Sequence, residues 1–236
     1  MALTFQHKQL ANGLDVIAEI NPDSHSFAAG LFVKTGARDE TAEANGVSHF
    51  LEHMMFKGSS KYTWQDVNRI FDEIGARYNA FTTQEMTAYY ANVLPEFTER
   101  AIEHLAHLLR PAIRNEDFDT EKKVILEEIA MYLDDPGHRL YEKLMESHFG
   151  EHPLSKSVLG SADSIRDLPR DTMANYFRQR YGPGNMVLAV TGRMNFDVVV
   201  KLAEKYMGDW PQVTAPRSQP NRTPTRWITS PLHWPR

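Results

Sequence analysis

The chain has 236 residues, a formal charge of −5 and no cysteine. This length holds one large domain or two small ones, and the lack of cysteine excludes a disulfide scaffold, a cysteine nucleophile and a cysteine-ligated metal site. The 10 histidines and 31 acidic residues leave other metal sites open, while the negative charge argues against a nucleic-acid-binding protein.

Hydrophobic periodicity predicts groups of strands and helices along residues 1–210. The predicted strands lie at 14–20, 27–35, as a pair within 77–93, and at 186–191. The predicted helices lie at 45–56, 64–74, 95–110, 116–132, 171–181 and 195–207. Because the strands come in pairs and the helices in groups, we expect an α+β fold with a mostly antiparallel sheet and helices packed on one face.

Residues 211–236 differ in composition from the rest of the chain. They hold six of the 13 prolines and four arginines, but no Asp or Glu. Since proline fixes φ and removes a backbone donor, this spacing cannot sustain a helix or a central strand. We therefore expect a compact domain over 1–210, followed by a proline-rich extended linker or tail over 211–236.

The sequence contains no apolar run of the roughly 18 residues that a membrane span requires. Its first residues also lack the basic start and the apolar centre of a signal peptide. On these grounds we expect a cytoplasmic protein that contacts neither a membrane nor nucleic acid.

The most informative string is His49-Phe50-Leu51-Glu52-His53. On a helix, two histidines four residues apart lie on one face, one turn from each other, as a shared metal ion requires. Glu52 lies beside that face, where a carboxylate can reach a metal-bound water without being a ligand. This is the HExxH arrangement of metalloproteases in reverse order. The alternative is an amphipathic helix with two solvated histidines.

A catalytic zinc site needs a third protein ligand, and the predicted helix 116–132 offers glutamates for it. Glu121 and Glu128 are seven residues apart and share one stripe, with Val124 between them, whereas Glu127 points to another face. One glutamate of the stripe would bind the metal and the other would orient a ligand. The alternative is that both are solvated surface charges.

Two further histidine pairs are weaker candidates. His104 and His107 are three residues apart on the helix after Pro95, and His148 and His152 flank the helix breaker Gly150. Neither pair has an evident third partner, so we expect no metal at either.

Together these motifs resemble the pitrilysin/insulinase family of inverted-motif zinc peptidases, which includes processing peptidases. The resemblance spans residues 13 to 210, and its landmarks follow the family order: Gly46, 49–58, 79–82, Thr87, Tyr89, Tyr90, 121–129, 181–186 and 190–192. It implies the N-terminal catalytic half of a clamshell peptidase, with a metallohydrolase-like α+β fold.

The resemblance also implies roles for single residues. His49, His53 and Glu128 would bind Zn²⁺, Glu121 would support a ligand as the second carboxylate, and Glu52 would be the general base.

Residues Asn79, Ala80 and Phe81 would lie on an edge strand that pairs with an extended substrate peptide. An exposed strand edge offers backbone hydrogen bonds to any peptide sequence, and so binds with little side-chain selectivity.

Active members of the family have two such domains, or two such chains, that close around the substrate. The resemblance therefore implies that a C-terminal half or partner subunit is missing. Three explanations stay open: an isolated domain, a truncated product, or a subunit that pairs with another chain. A homodimer over the exposed inner face is a further expectation.

The function that we expect is that of a zinc metalloendopeptidase domain acting on extended or unfolded peptides, which needs a second homologous domain or chain for full activity. The alternative is a non-catalytic structural or peptide-binding subunit of the same fold. The presence of His49, Glu52, His53 and Glu128 together favours the peptidase, because a scaffold does not require them.

Overall fold

The computed structural model describes residues 3–217. Within this range six strands form one sheet: β1 (Thr4–Gln9), β2 (Asp15–Ile20), β3 (Phe27–Val33), β4 (Arg77–Thr82), β5 (Thr87–Val93) and β6 (Met186–Gly192). The strands predicted from periodicity are β2 to β6. The prediction omitted β1, whose residues are all exposed and which therefore carries no apolar alternation.

The same range contains eight α-helices: α1 (Val47–Met55), α2 (Trp64–Glu73), α3 (Thr98–Leu108), α4 (Asn115–Leu133), α5 (Pro136–Phe149), α6 (Ala162–Asp167), α7 (Arg170–Arg180) and α8 (Phe196–Met207). All six predicted helices are present. The prediction omitted the short α6 and also α5, which has no buried residue and so lacks the apolar stripe on which the prediction rested.

The strand order in the sheet is β1-β2-β6-β3-β5-β4. Four of its five strand pairings are antiparallel, and only β2 and β6 pair in parallel. The expected mostly antiparallel sheet is therefore confirmed. The strand β4 lies at one edge, where one side of its backbone has no neighbouring strand among residues 3–217.

One face of the sheet is buried under the helices. Alternate residues of its strands have little or no exposed surface, among them Val16, Ala18, Phe27, Ala29, Leu31, Tyr89, Ala91, Leu188 and Val190. On the opposite face Ile17 and Tyr90 are exposed. Because α1, α3 and α8 all contact strands of this one sheet, the helices form a layer on one face, as expected from the sequence.

The segment 211–217 has no helix or strand, in line with its proline content, but it packs against the domain. Val213 N–H donates to the carbonyl of Pro183 (3.0 Å), and the guanidinium of Arg217 forms two hydrogen bonds with the buried carboxylate of Asp39 (2.9 and 2.6 Å). The rest of the expected tail, 218–236, lies outside the described residues. Among residues 3–217, the helices are too short or too polar to cross a bilayer.

Candidate metal centre

Helix α1 presents the H-x-x-E-H string. It begins at Val47 rather than at 45, because Gly46 has φ of +90° and so cannot be part of the helix. Its apolar residues, including Phe50, Leu51 and Met54, are fully buried. The Phe50 ring stacks on that of Phe118 in α4, with centroids 4.8 Å apart. This packing turns the histidine face of α1 toward α4.

Three potential metal ligands meet between the two helices. His49 Nε2 lies 3.1 Å from Glu128 Oε2, and His53 Nε2 lies 3.5 Å from the same oxygen. All three ligand atoms lie within 4.8 Å of one another, and among residues 3–217 no other group of three or more His, Asp or Glu has this geometry. The structure thus brings together the three residues that the sequence proposed as ligands.

The site attracts positive charge. Burial disfavours the charged form of His49, but the hydrogen bond with Glu128 and the nearby Glu52 carboxylate outweigh burial and raise the pKa of His49 to about 9. The hydrogen bond with His49 lowers the pKa of Glu128. Carboxylates that stabilise a proton on His49 will also stabilise a metal cation in its place, and metal binding must then release that proton.

Glu121 contacts the ring nitrogen of His53 that is not near Glu128. Its Oε1 lies 2.8 Å from His53 Nδ1, and its Oε2 pairs with the ammonium of Lys57. Burial opposes the charge on Glu121, but the hydrogen bond with His53 and the ion pair with Lys57 outweigh burial and lower its pKa. An ionised Glu121 holds the proton of His53 on Nδ1, which leaves Nε2 free as a ligand atom.

The predicted stripe on α4 is only partly as expected. Glu121 is buried, Glu128 is half-buried and Glu127 is exposed, as the seven-residue spacing predicted. However, Val124 is 42% exposed, and Ile125 is the buried apolar residue between the two glutamates. The buried stripe therefore passes through Ile125, and not through Val124 as the sequence suggested.

Glu52 lies next to the ligand group without joining it. Its Oε2 is 3.8 Å from His49 Nδ1 and accepts a hydrogen bond from the Thr82 hydroxyl (2.5 Å). Its side chain is only 12% exposed. The carboxylate is thus oriented by the last residue of β4, on the side of α1 that faces the edge strand.

The three residues expected to bind substrate lie on β4, as predicted. Asn79 and Phe81 are exposed, whereas Ala80 is half-buried on the face that carries Thr82. The backbone N–H of Ala80 donates to Asn79 Oδ1 (2.9 Å). The strand β4 contacts the site through the hydrogen bond from Thr82 to Glu52.

The histidines of the two weaker pairs make contacts with residues other than the candidate ligands. His104 Nε2 is 2.9 Å from the Val67 carbonyl, and burial lowers the pKa of His104 to about 4. His107 packs edge-on against Tyr62. His152 Nδ1 accepts the N–H of Leu154, and the His148 ring contacts Phe149.

Sequence reasoning missed two residues of the site. Lys57 is four residues after His53, a spacing that could have placed it near the same glutamate, but it lies beyond the end of α1. Thr82 belongs to a recognised motif, yet nothing in its spacing points to Glu52, 30 residues earlier.

This layered fold and donor group, with an H-x-x-E-H helix facing a glutamate helix, define a domain of the inverted-motif metallopeptidase class. The chain belongs to the Insulinase family (Peptidase family M16), whose family model matches residues 15–162. A second model, described as the Peptidase M16 inactive domain, matches residues 167–232. The resemblance inferred from the motifs is therefore confirmed.

Relatives of similar sequence carry names that agree with the cofactor prediction. Uncharacterized zinc protease YmxG from Bacillus subtilis is 38% identical over 200 residues, which cover 84% of this chain and 49% of the relative. An Uncharacterized zinc protease from Rickettsia bellii is 34% identical over 229 residues, covering 97% and 55%. The chain thus spans about half the length of these relatives.

Solved structures share the fold. A protease from Helicobacter pylori superposes with a TM-score of 0.87 at 22% identity, over 92% of this chain and 53% of that one. An M16-like peptidase from Alicyclobacillus acidocaldarius gives 0.80 at 27% identity, over 89% and 50%. Pitrilysin gives 0.82 at 23% identity, over 93% of this chain but only 24% of pitrilysin.

Proposed function

We propose that the chain is the zinc-binding part of a metalloendopeptidase that hydrolyses extended peptides. The observation that carries this proposal is the convergence of His49, His53 and Glu128, with Glu52 beside them. The family membership and the names of the relatives support it.

The donor set fits zinc. Two imidazole nitrogens and one carboxylate oxygen are common ligands of catalytic zinc. Ligand atoms held about 2.0–2.2 Å from a tetrahedral ion lie roughly 3.3–3.5 Å apart, and the two histidine nitrogens lie 3.1 and 3.5 Å from Glu128 Oε2. Three protein ligands leave the fourth position of a tetrahedral site for water.

In this proposal a side chain of the protein, Glu52, transfers the proton during hydrolysis. Bound zinc would supply a water of lowered pKa and polarise the scissile carbonyl. Glu52 would accept the proton of that water and then donate it to the leaving amine. The Thr82 hydroxyl would keep the Glu52 carboxylate turned toward the site, and Glu121 would keep His53 in the tautomer that binds metal.

The substrate in this proposal is an extended peptide that adds to the edge of β4. An unpaired strand edge binds backbone groups and so accepts many sequences. A peptide that pairs with the Ala80 N–H must displace the Asn79 side chain, which accepts that hydrogen bond. Asn79 would then be free to contact the peptide.

Full activity would require additional protein. The site is open, since the side chains of His53 and Glu128 are 24% and 21% exposed, and exclusion of water strengthens electrostatic catalysis. The matched residues cover only about half of each relative. We infer that the second half of such a relative, or a partner chain, covers the site.

Zinc content and one substitution test the function. The purified chain should hold about one zinc per chain. The variant Glu52→Gln should keep this zinc but lose hydrolysis of an unfolded fluorogenic peptide, measured with and without the second half of the Bacillus subtilis relative added. The control Glu127→Gln, an exposed residue on α4, should change neither.

The results separate the peptidase from the alternative. If wild type and Glu52→Gln cleave the peptide equally fast, Glu52 is not the base. If the chain binds zinc and peptide but never cleaves, even with the added half, the structural or peptide-binding subunit is the better description.

A further inference from the structure

A buried carboxylate lies at the start of α1 and takes no part in the donor group. Glu40 is only 4% exposed. Its Oε2 accepts the backbone N–H of Gly46 (2.7 Å), and its Oε1 accepts that of Ser48 (2.8 Å). The Asn45 side chain donates a third hydrogen bond (3.1 Å). Both carboxylate oxygens are therefore directed at the first turn of the metal-binding helix.

These hydrogen bonds replace a missing cap. The first N–H groups of a helix have no partner within the helix, and the residue in the N-cap position of α1 is Gly46, which has no side chain. A carboxylate satisfies such donors strongly and also interacts favourably with the helix dipole. Glu40 supplies this cap from six residues upstream.

The same turn is fixed from two other directions. The hydroxyl of Ser48 is 2.8 Å from that of Tyr176 in α7, which is 2.6 Å from Thr35 Oγ1. A Cβ at Gly46 would lie 2.5 Å from the Leu159 carbonyl oxygen, so the backbone there is tightly enclosed. Ser48 directly precedes His49, so little freedom remains between these anchors and the imidazole.

The environment of Glu40 shows that its burial is costly. Burial raises its pKa to about 7, even though the hydrogen bonds with Ser48 and Gly46 act in the opposite direction. Lys156 Nζ contacts the backbone carbonyl of Glu40 and not the carboxylate. The main partners of the carboxylate are thus the backbone donors of α1.

We propose that Glu40 is a positioning residue for the metal centre: by holding the first turn of α1, it sets His49 at the distance from Glu128 at which both bind one ion. This inference rests on the proposed function for the ligand set, and adds a residue that is not itself one of the proposed ligands.

The test compares Glu40→Gln with wild type in the 236-residue chain. The amide keeps the size of the side chain but offers only one acceptor oxygen to two N–H groups. We expect zinc affinity, measured by competition with a chelator, to fall about 10- to 100-fold, as for other residues that orient ligands. We also expect a changed visible absorption spectrum of the Co²⁺-loaded protein, because the geometry around the ion changes.

A control variant separates positioning from loss of stability. Val199 is fully buried in α8, which packs on α3 and β2. Val199→Ala should lower the melting temperature but leave zinc affinity and the Co²⁺ spectrum unchanged. Equal weakening of zinc binding in Val199→Ala, or wild-type affinity and spectrum in Glu40→Gln, would overturn the proposal.

Two further outcomes are decisive. If Glu40→Gln does not fold, Tyr176→Phe, which removes a single hydroxyl from the same network, should weaken zinc binding several-fold, and unchanged affinity in that variant contradicts the proposal. If the wild-type chain itself binds no zinc, the ligand set is wrong and both proposals fail; if it binds zinc normally, a negative result concerns Glu40 alone.

Discussion

Helices α1 and α3 each carry a pair of histidines beside the buried layer, and the two pairs have opposite electrostatic surroundings. His49 faces Glu128 and Glu52, which raise its pKa to about 9. His104 faces the Val67 carbonyl and aromatic rings, and burial lowers its pKa to about 4. Both histidines are largely buried, so the contrast between their pKa values follows from the carboxylates that lie beside His49.

The largest expected effect is the loss of metal when the shared carboxylate is removed. Glu128→Ala should reduce bound zinc from about one equivalent to nearly none, because two histidines alone hold zinc weakly in an open site. Glu127→Ala and His104→Phe should retain it. Metal analysis after dialysis measures this, and zinc retained in Glu128→Ala would remove the distinction between the two helices.

The next effect concerns the pH dependence of stability. The pKa of His104 is lower in the folded protein than in the unfolded chain, so the unfolded chain binds a proton first and stability falls as the pH drops from about 6.5 to 4. The lowered pKa agrees with the structure, since a proton on His104 Nδ1 has no acceptor among residues 3–217. The pKa difference corresponds to a loss of stability of at most about 3 kcal/mol.

The variant His104→Phe isolates this contribution. Urea unfolding at several pH values should show a shallower loss of stability below pH 6.5 in the variant than in wild type, whatever its absolute stability. Parallel curves for the two proteins would show that the pKa of His104 does not differ between the folded protein and the unfolded chain.

The smallest expected effect is on zinc affinity and concerns Glu121, which contacts Nδ1 of His53. Glu121→Gln should lower zinc affinity about 10- to 100-fold without abolishing binding, because the amide cannot stabilise the Nδ1 proton of His53 as a carboxylate does. The exposed Glu116→Gln on the same helix is the matched control. If the two variants bind zinc equally well, the tautomer of His53 does not depend on Glu121.

The local pattern was sufficient to predict the helices that carry the candidate ligands. His49 and His53 share a helix face, and the seven-residue spacing of Glu121 and Glu128 distinguished Glu128 from Glu127. These relations depend only on 3.6 residues per turn. Elements without a buried face, β1 and α5, could not be found in this way, although Asp135 and Pro136 form a good helix start.

Contacts that strand and loop residues make with helix α1 were not predictable from spacing. Thr82 reaches Glu52, and Glu40 reaches the start of α1, only because β4 and the 37–46 segment are packed against that helix. A polar residue in a loop has the same local pattern whether it is solvated or buried against a helix end. The capping role of Glu40 therefore required the tertiary structure.

The position of β6 between β2 and β3 has a consequence for folding. These two strands belong to separate parts of the sheet, the β1–β2 hairpin and a ribbon formed by β3, β5 and β4. Among residues 3–217, only β6 joins these parts. During synthesis both parts emerge long before Met186–Gly192, so each keeps an unpaired edge open to other chains. Closing the sheet requires contacts between residues far apart in sequence, which slows folding. Until β6 joins the sheet, the nascent chain therefore exposes two strand edges that can pair with other chains.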